Sequence, residues 1–315
     1  MELTRRHFLN TAAGAAGLAA AVSATAQAKT YQLGCQTLPY RALPVTRALE
    51  GISKAGYKYV MLNADHQKKP AFSPVLSSSE RAELRRQIKE AGLTPFMSFF
   101  GLGKGLTTEE GLQAGIAELD LCAEFGIHTV VGTGPWYYAK WPNLPYSARE
   151  WATMTDRYYA ILERAVRHAD KVGVTITLKP HTGITAHARA CMEIMKRLPS
   201  ERLKICWDAG NVSFYEGIFP DPDLPDLAPN VKSICIKDHI GGRGAANFPV
   251  PGQGQIDHDL MFKILFGAGF DGPIALERVD GTDPAAKMAP ELIDERITAA
   301  RTFLQSVISK YAPAA

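Results

Sequence analysis

Six short stretches gather the residues able to move protons or hold charge: "MLNADH" (61–66), "GTGPWYY" (132–138), "LKPH" (178–181), "CWDAGN" (206–211), "CIKDH" (235–239) and "ALERVDG" (275–281). The sharpest is "TITLKPHTG", Thr175 to Gly183, where an apolar run ends abruptly in Lys179, Pro180 and His181. A lysine and a histidine at the mouth of a buried strand need partners. Side chains alternate along a strand, so Lys179 and His181 share a face, as do Cys235, Lys237 and His239 if extended geometry continues past the last paired residue. Pro180 cannot donate to a ladder and marks the strand's end.

Each stretch closes an apolar run. Expected strands are Gln32–Gln36, Tyr59–Asn63, Thr94–Phe99, Thr129–Gly132, Val174–Lys179, Leu203–Trp207, Ser233–Lys237 and Pro273–Glu277. Between them lie amphipathic patterns at Val45–Ala55, Ser78–Ala91, Thr108–Phe125, Ala148–Val172, Thr185–Leu198, Asp257–Ala268 and Glu291–Tyr311. Ser78 with Glu80 behind it and Asp257 before an apolar run are start signals. Gly56, Gly92, Gly126, Gly173 and Gly269 stand where a helix gives way to the next strand. Strands alternating with helices mean parallel pairing and right-handed crossovers. An open doubly wound sheet carries a Gly-rich turn after its first strand, and "LGCQTLPYR" has none. The expected fold is therefore α/β, a (β/α)₈ TIM barrel in a single domain, residues 29–315. Chemistry in such a barrel sits at the C-terminal strand ends, where the six stretches fall.

Residues 1–28 are an address. Arg5-Arg6 opens a twin-arginine pattern, an Ala/Gly-rich run spans Thr11 to Val22, and Ala26-Gln27-Ala28 is a small-x-small cleavage site. The run is too short for a spanning helix of about 20 residues. Export by the twin-arginine route to the periplasm is expected, with no membrane association after cleavage. The formal net charge is +3, and loss of Glu2, Arg5 and Arg6 leaves it near neutral, which argues against a nucleic-acid partner. The five cysteines, Cys35, Cys122, Cys191, Cys206 and Cys235, are scattered without CxxC spacing and read as free buried thiols.

"KAGYKYVML" (54–62), "ICWDAGN" (205–211), "IKD" (236–238), "PGQGQID" (251–257) and "GPIALE" (272–277), in this order and spacing, resemble the xylose-isomerase-like barrel family of sugar phosphate isomerases and epimerases. The resemblance runs along essentially the whole chain after the leader. It implies one divalent metal held by Glu, Asp, His and Glu from strands 5 to 8, binding neighbouring oxygens of a ketose while acid/base side chains move a proton beside the carbonyl. Asp208 and Glu277 match two of these ligands. The strand 5 Glu falls on Lys179 and the strand 7 His on Cys235, while Met61 and Phe99 replace the usual strand 2 acid and strand 3 His.

A histidine stands beyond each lost ligand on the same face. His181, Asp208, His239 and Glu277 would make a two-His, two-carboxylate set suited to Mn, Co, Fe or Zn. At roughly 3.3 Å per residue the shift carries His181 about 6–7 Å outward and His239 about 13 Å. The metal-free alternative makes Lys179, paired with Asp208 and Glu277, the electrophile or a proton carrier. Glu277 and Lys237 complete the catalytic candidates.

Substrate contact is expected from Trp136 beside Tyr137 and Tyr138, from His66, from Arg243 as an anion clamp and from Asn211, which also fixes the Asp208 loop. His128, His168, His187 and His258 read as surface residues. No phosphate-cradling motif is present, and export favours an unphosphorylated sugar. The resemblance thus implies an exported sugar isomerase or epimerase acting by metal-assisted proton abstraction next to a carbonyl. A keto-glycoside lyase or hydrolase of the same fold is the alternative, and so is a barrel that only binds carbohydrate. The partner is a small-molecule sugar or glycoside, and an oligomer is compatible with the sequence.

Overall fold

The computed structural model describes residues 31–283 and 287–312; the leader and cleavage site expected from the sequence lie outside the described residues. Eight parallel strands close into a barrel: β1 (Gln32–Gln36), β2 (Tyr59–Leu62), β3 (Thr94–Phe99), β4 (Thr129–Thr133), β5 (Thr175–Lys179), β6 (Leu203–Trp207), β7 (Val231–Ile236) and β8 (Pro273–Leu276). Each pairs with its sequence neighbours, and β8 closes on β1 with Gln32 opposite Pro273 and Cys35 opposite Leu276. This is a single-domain (β/α)₈ barrel, and it has no free sheet edge.

The outer ring is α1 (Val45–Lys54), α2 (Ser78–Glu90), α3 (Glu109–Glu124), α4 (Ala148–Val172), α5 (Ala188–Arg197), α6 (Ala209–Glu216), α7 (His258–Gly267) and α8 (Pro290–Ile308). α2 begins on a capping box made by Ser77 and Glu80, one residue earlier than the sequence suggests. α6 is absent from the sequence expectation: Gly210 and Asn211 sit in its first turn, and eight residues are too few to display a helical period. Asp208 starts it as N-cap, accepting from the Asn211 N–H.

Side chains from six of the strands fill the barrel axis, among them Met61, Met97, Val131, Cys206, Cys235 and Ala275. All five cysteines are free and buried. Cys235, at the position where the resemblance implies a histidine ligand, belongs to this packed interior, with its Sγ 3.6 Å from Cys206 Sγ. Two small hairpins, Asp65–His66 with Lys69–Pro70 and Tyr138–Lys140 with Leu144–Pro145, rise after β2 and β4.

Candidate active site

Four charged side chains meet at the C-terminal ends of β5 to β8, each at most 7 % exposed: Lys179, Asp208, Lys237 and Glu277. Lys179 Nζ donates to both carboxylate oxygens of Glu277, at 2.9 and 2.7 Å, and lies 3.6 Å from Asp208 Oδ2. Lys237 Nζ donates to Asp208 Oδ2 at 2.6 Å, Asn211 Oδ1 at 2.9 Å and Glu277 Oε2 at 3.0 Å. Two ammonium groups thus balance two carboxylates. Burying any of them alone would cost several kcal/mol, about what close pairing must offset.

Backbone details set this geometry. Lys237 and Glu277 each lie one residue beyond their strand, and the Glu277 N–H still bonds the Ile236 carbonyl. Gly210 lets the α6 turn lie against the stem of Lys237, for a Cβ there would stand 2.3 Å from Lys237 Cγ. Asn211 ties three strand ends together: its backbone N–H bonds Asp208, its Nδ2 donates to the Pro180 carbonyl at 2.7 Å, and its Oδ1 accepts from Lys237. With its amide spent in this way, Asn211 organises the site and offers nothing to a substrate.

The charges tune one another. Burial works against Glu277 ionising, but Lys179 and Lys237 outweigh it and hold the carboxyl below the usual range. Burial likewise disfavours a charged Lys179, yet Glu277, together with Asp208, keeps its pKa well above the ordinary lysine value. Lys179 is accordingly a fixed cation and not a neutral amine nucleophile. Asp208 is shifted up, chiefly by burial.

His181 lies just above Lys179. Its Nδ1 is 3.3 Å from the Lys179 carbonyl, which can only accept, so Nδ1 carries the proton, and the unprotonated Nε2 accepts from Asn211 Nδ2 at 3.5 Å. Burial and the Lys179 charge push its pKa down to about 3. Its ring packs 5.8 Å from Trp136 and 5.0 Å from Tyr215. Trp136, 39 % exposed, and Tyr215 form an aromatic wall on this side of the mouth. Arg243 braces that wall, donating to the Tyr138 hydroxyl at 2.8 Å and the Tyr215 carbonyl at 2.7 Å. On the other side, Glu277 opens into a cleft of about 640 Å³ lined also by Leu38, Arg41, Lys68 and Arg278.

Two expected site histidines lie elsewhere. His66 is 4 % exposed, bonds the Leu43 carbonyl and lines a groove with α1 and α2 residues such as Val45 and Leu84. His239 is fully buried between Phe214 and Phe248. Its Nε2 donates to the Ala245 carbonyl at 2.7 Å, leaving Nδ1 to accept from Ser213 Oγ at 2.8 Å. Both nitrogens are spent on the fold.

The cause is Asp238, the last residue of "IKD", whose role no sequence pattern signals. Its buried carboxylate accepts the backbone N–H of His239, Gly252, Gly254 and Ile256 at 2.8–3.0 Å. It therefore gathers the "PGQGQID" loop beneath itself and turns the chain out of extended geometry directly after Lys237. Gly254 is needed there, since a Cβ would lie 2.2 Å from Asp238 Oδ1. His258, read from sequence as a surface residue, is 2 % exposed with Nε2 3.6 Å from the same carboxylate.

The residues present do not fit the four-ligand metal. Only Asp208 and Glu277 of the expected set come together, and the space between their oxygens holds the Lys179 and Lys237 ammonium groups. Among the described residues no group of three or more His, Cys, Asp or Glu side chains is arranged to hold a metal ion.

A family model described as "Xylose isomerase-like TIM barrel" matches residues 49–299. The chain belongs to this family. Solved structures of the same xylose isomerase-like barrel include a xylose isomerase domain protein from Planctomyces limnophilus, 17% identical with a TM-score of 0.68 over 90% of this chain and 98% of that one. Another is a D-psicose 3-epimerase from Clostridium cellulolyticum H10, 15% identical with a TM-score of 0.69 over 88% and 99%. Among curated proteins, an inosose dehydratase of Klebsiella pneumoniae (strain 342) is 26% identical over 161 residues, 44% of this chain and 50% of that protein. The chain spans about half the length of the curated relatives it matches.

Proposed function

We propose that this barrel is a sugar-modifying enzyme that moves a proton next to the carbonyl of an unphosphorylated ketose or keto-glycoside, with Lys179 as the electrophile. The observation that carries this reading is the contact of Lys179 Nζ with both oxygens of Glu277, the carboxylate that opens into the cleft. A carbonyl oxygen entering from the cleft accepts a hydrogen bond from Lys179. As charge develops on that oxygen during deprotonation, the ammonium group stabilises it in a site from which water is largely excluded. Each contact that Lys179 transfers to the substrate is lost to Glu277, so the carboxylate becomes more basic as the proton leaves carbon. Lys237, whose three N–H groups are all donated, holds Asp208 and Glu277 in place without touching substrate. The part-exposed Trp136 ring, with Tyr215 set edge-on against it, offers a flat apolar face of the kind that sugar rings pack on.

The same enolate reprotonated on its other face gives epimerisation; with a leaving group β to the carbonyl it gives elimination. Partial similarity to proteins named dehydratases supports the second outcome, and neighbours named 3-epimerases support the first. The presence of Asp208 and Glu277, each held by buried lysines, speaks against a barrel that only binds carbohydrate. The twin-arginine leader, if it directs export as we propose, keeps the enzyme away from cytoplasmic sugar phosphates. The test is proton exchange in deuterated solvent, followed by nuclear magnetic resonance over a panel of ketoses, keto-glycosides and their phosphates. Exchange at the carbon beside the carbonyl of the unphosphorylated compounds is expected. A clear preference for the phosphates, or no exchange with any of them, overturns the reading.

A further inference from the structure

The cleft at Glu277 has a neighbour. A second cleft of about 470 Å³ opens between the ends of β2 and β3 and the outer helix α3, and the two share Leu38, Arg41 and Asp65 in their walls. Phe99 links this second cleft to the charge network: its ring lines the cleft, and the Lys179 ammonium lies 5.6 Å from the ring centre.

Two polar side chains line the second cleft with bonding capacity left over. Asn63 is 6 % exposed, and its Oδ1 has no hydrogen-bond partner among the described residues. Only its backbone N–H is engaged, by Thr37 Oγ1 at 3.1 Å. A buried amide oxygen left unpaired is costly in a folded protein, so it calls for a ligand or a function. Glu118 reaches the cleft from α3; one of its oxygens accepts the Gly101 N–H at 2.6 Å, and the other bonds no described group. Phe72, Phe100 and Leu102 add apolar walls. Acceptors that suit hydroxyl groups, set among apolar surfaces, are what a sugar ring requires. The first cleft alone is already within the size range of a small-molecule site, so one reacting ring leaves the second cleft unfilled.

We propose that the second cleft is a saccharide subsite, and that the preferred substrate is a keto-glycoside of two rings, one over Glu277 and the other between Asn63 and Glu118. The inference rests on the reading of the Lys179–Glu277 centre as a sugar site. It assigns Asn63 and Glu118 to substrate selection, with no part in proton transfer.

Binding calorimetry with fructose, set against the keto-disaccharides turanose and lactulose, tests it. Wild-type protein should bind at least one disaccharide about tenfold or more tighter than fructose. Asn63→Leu, which keeps the side-chain shape and breaks no side-chain bond of the fold, should remove that gain and leave fructose affinity unchanged. Glu118→Gln, which keeps the Gly101 contact, should reduce the gain in the same selective way. Equal affinity for the three sugars, or variants that weaken fructose as much as the disaccharides, would overturn the subsite and leave the centre standing. Failure of wild-type protein to bind any of the three overturns the reading of the centre and the subsite with it.

Discussion

The Lys179 ammonium group reaches both oxygens of the Glu277 carboxylate, at 2.9 and 2.7 Å, across the mouth of the barrel from β5 to β8. A cation stands where the resemblance implies an anionic metal ligand, and it bonds the carboxylate that the metal would have used. Exchanging an acid for a lysine therefore changes two things together: it removes a ligand and supplies the positive charge that the ligand would have helped to bind.

Lys179→Met should abolish proton exchange. It should also destabilise the protein by about 3–5 kcal/mol, the usual cost of leaving one member of a buried ion network uncompensated. Lys179→Glu has a different outcome. It places a third carboxylate beside Asp208 and Glu277, so the variant should take up Mn²⁺ at least about tenfold more tightly than wild type, measured by calorimetry. An unchanged affinity would show that the three side chains do not converge.

Asp238→Asn should loosen the loop that Asp238 gathers. Its carboxylate accepts four backbone N–H groups, and hydrogen bonds to a charged acceptor contribute about 1.5–3 kcal/mol each, not additively. A stability loss of roughly 2–4 kcal/mol is expected by urea denaturation. Burial opposes ionisation of Asp238, but His258 and the backbone donors prevail and lower its pKa. Its stabilising effect is therefore full above the unfolded carboxyl range and fades as pH falls through the lowered folded value. The variant should lose part of that acid sensitivity.

His181 has the opposite chemistry and the same direction of pH dependence. Its folded pKa of about 3 lies below the ordinary histidine value, so the unfolded chain binds a proton first as pH falls. Stability is full above about 6.5 and declines as the pH drops towards 3. His181→Phe should flatten the fall in urea midpoint between pH 6.5 and 4.5. A slope identical to wild type would mean that the ring is already charged in the folded protein.

Much of this centre was legible before any coordinates. Helix-ending glycines and short apolar runs marked the barrel, and the barrel rule then pointed to Lys179, Asp208, Lys237 and Glu277 as residues sharing one rim. The metal set failed at His239 for a local reason. Alternation holds only while the chain stays extended, and β7 ends at Ile236. Beyond it, Asp238 collects N–H groups from residues 14 to 18 positions away, a long-range capture that no periodicity reveals. Burial of His258 follows from the same carboxylate. The loop position of Arg243 is readable in the sequence, whereas its partners, Tyr138 and the Tyr215 carbonyl, are not.

Export remains a proposal carried by Arg5-Arg6 and the Ala26-Gln27-Ala28 site. Replacing both arginines by lysine should keep the precursor in the cytoplasm, while wild type appears in the periplasm with Lys29 as its first residue. N-terminal sequencing of each fraction decides this. A periplasmic protein that still carries the arginines would contradict it.

The central claim is that an ammonium group performs the electrophilic role at this barrel's mouth. It is tested most directly by measuring metal content and proton exchange on the same purified wild-type protein, before and after exhaustive treatment with a chelator. The account predicts substoichiometric metal and an exchange rate that the chelator leaves unchanged, with Lys179→Met inactive under both conditions. Stoichiometric metal whose removal abolishes exchange, and whose return restores it, would contradict the account.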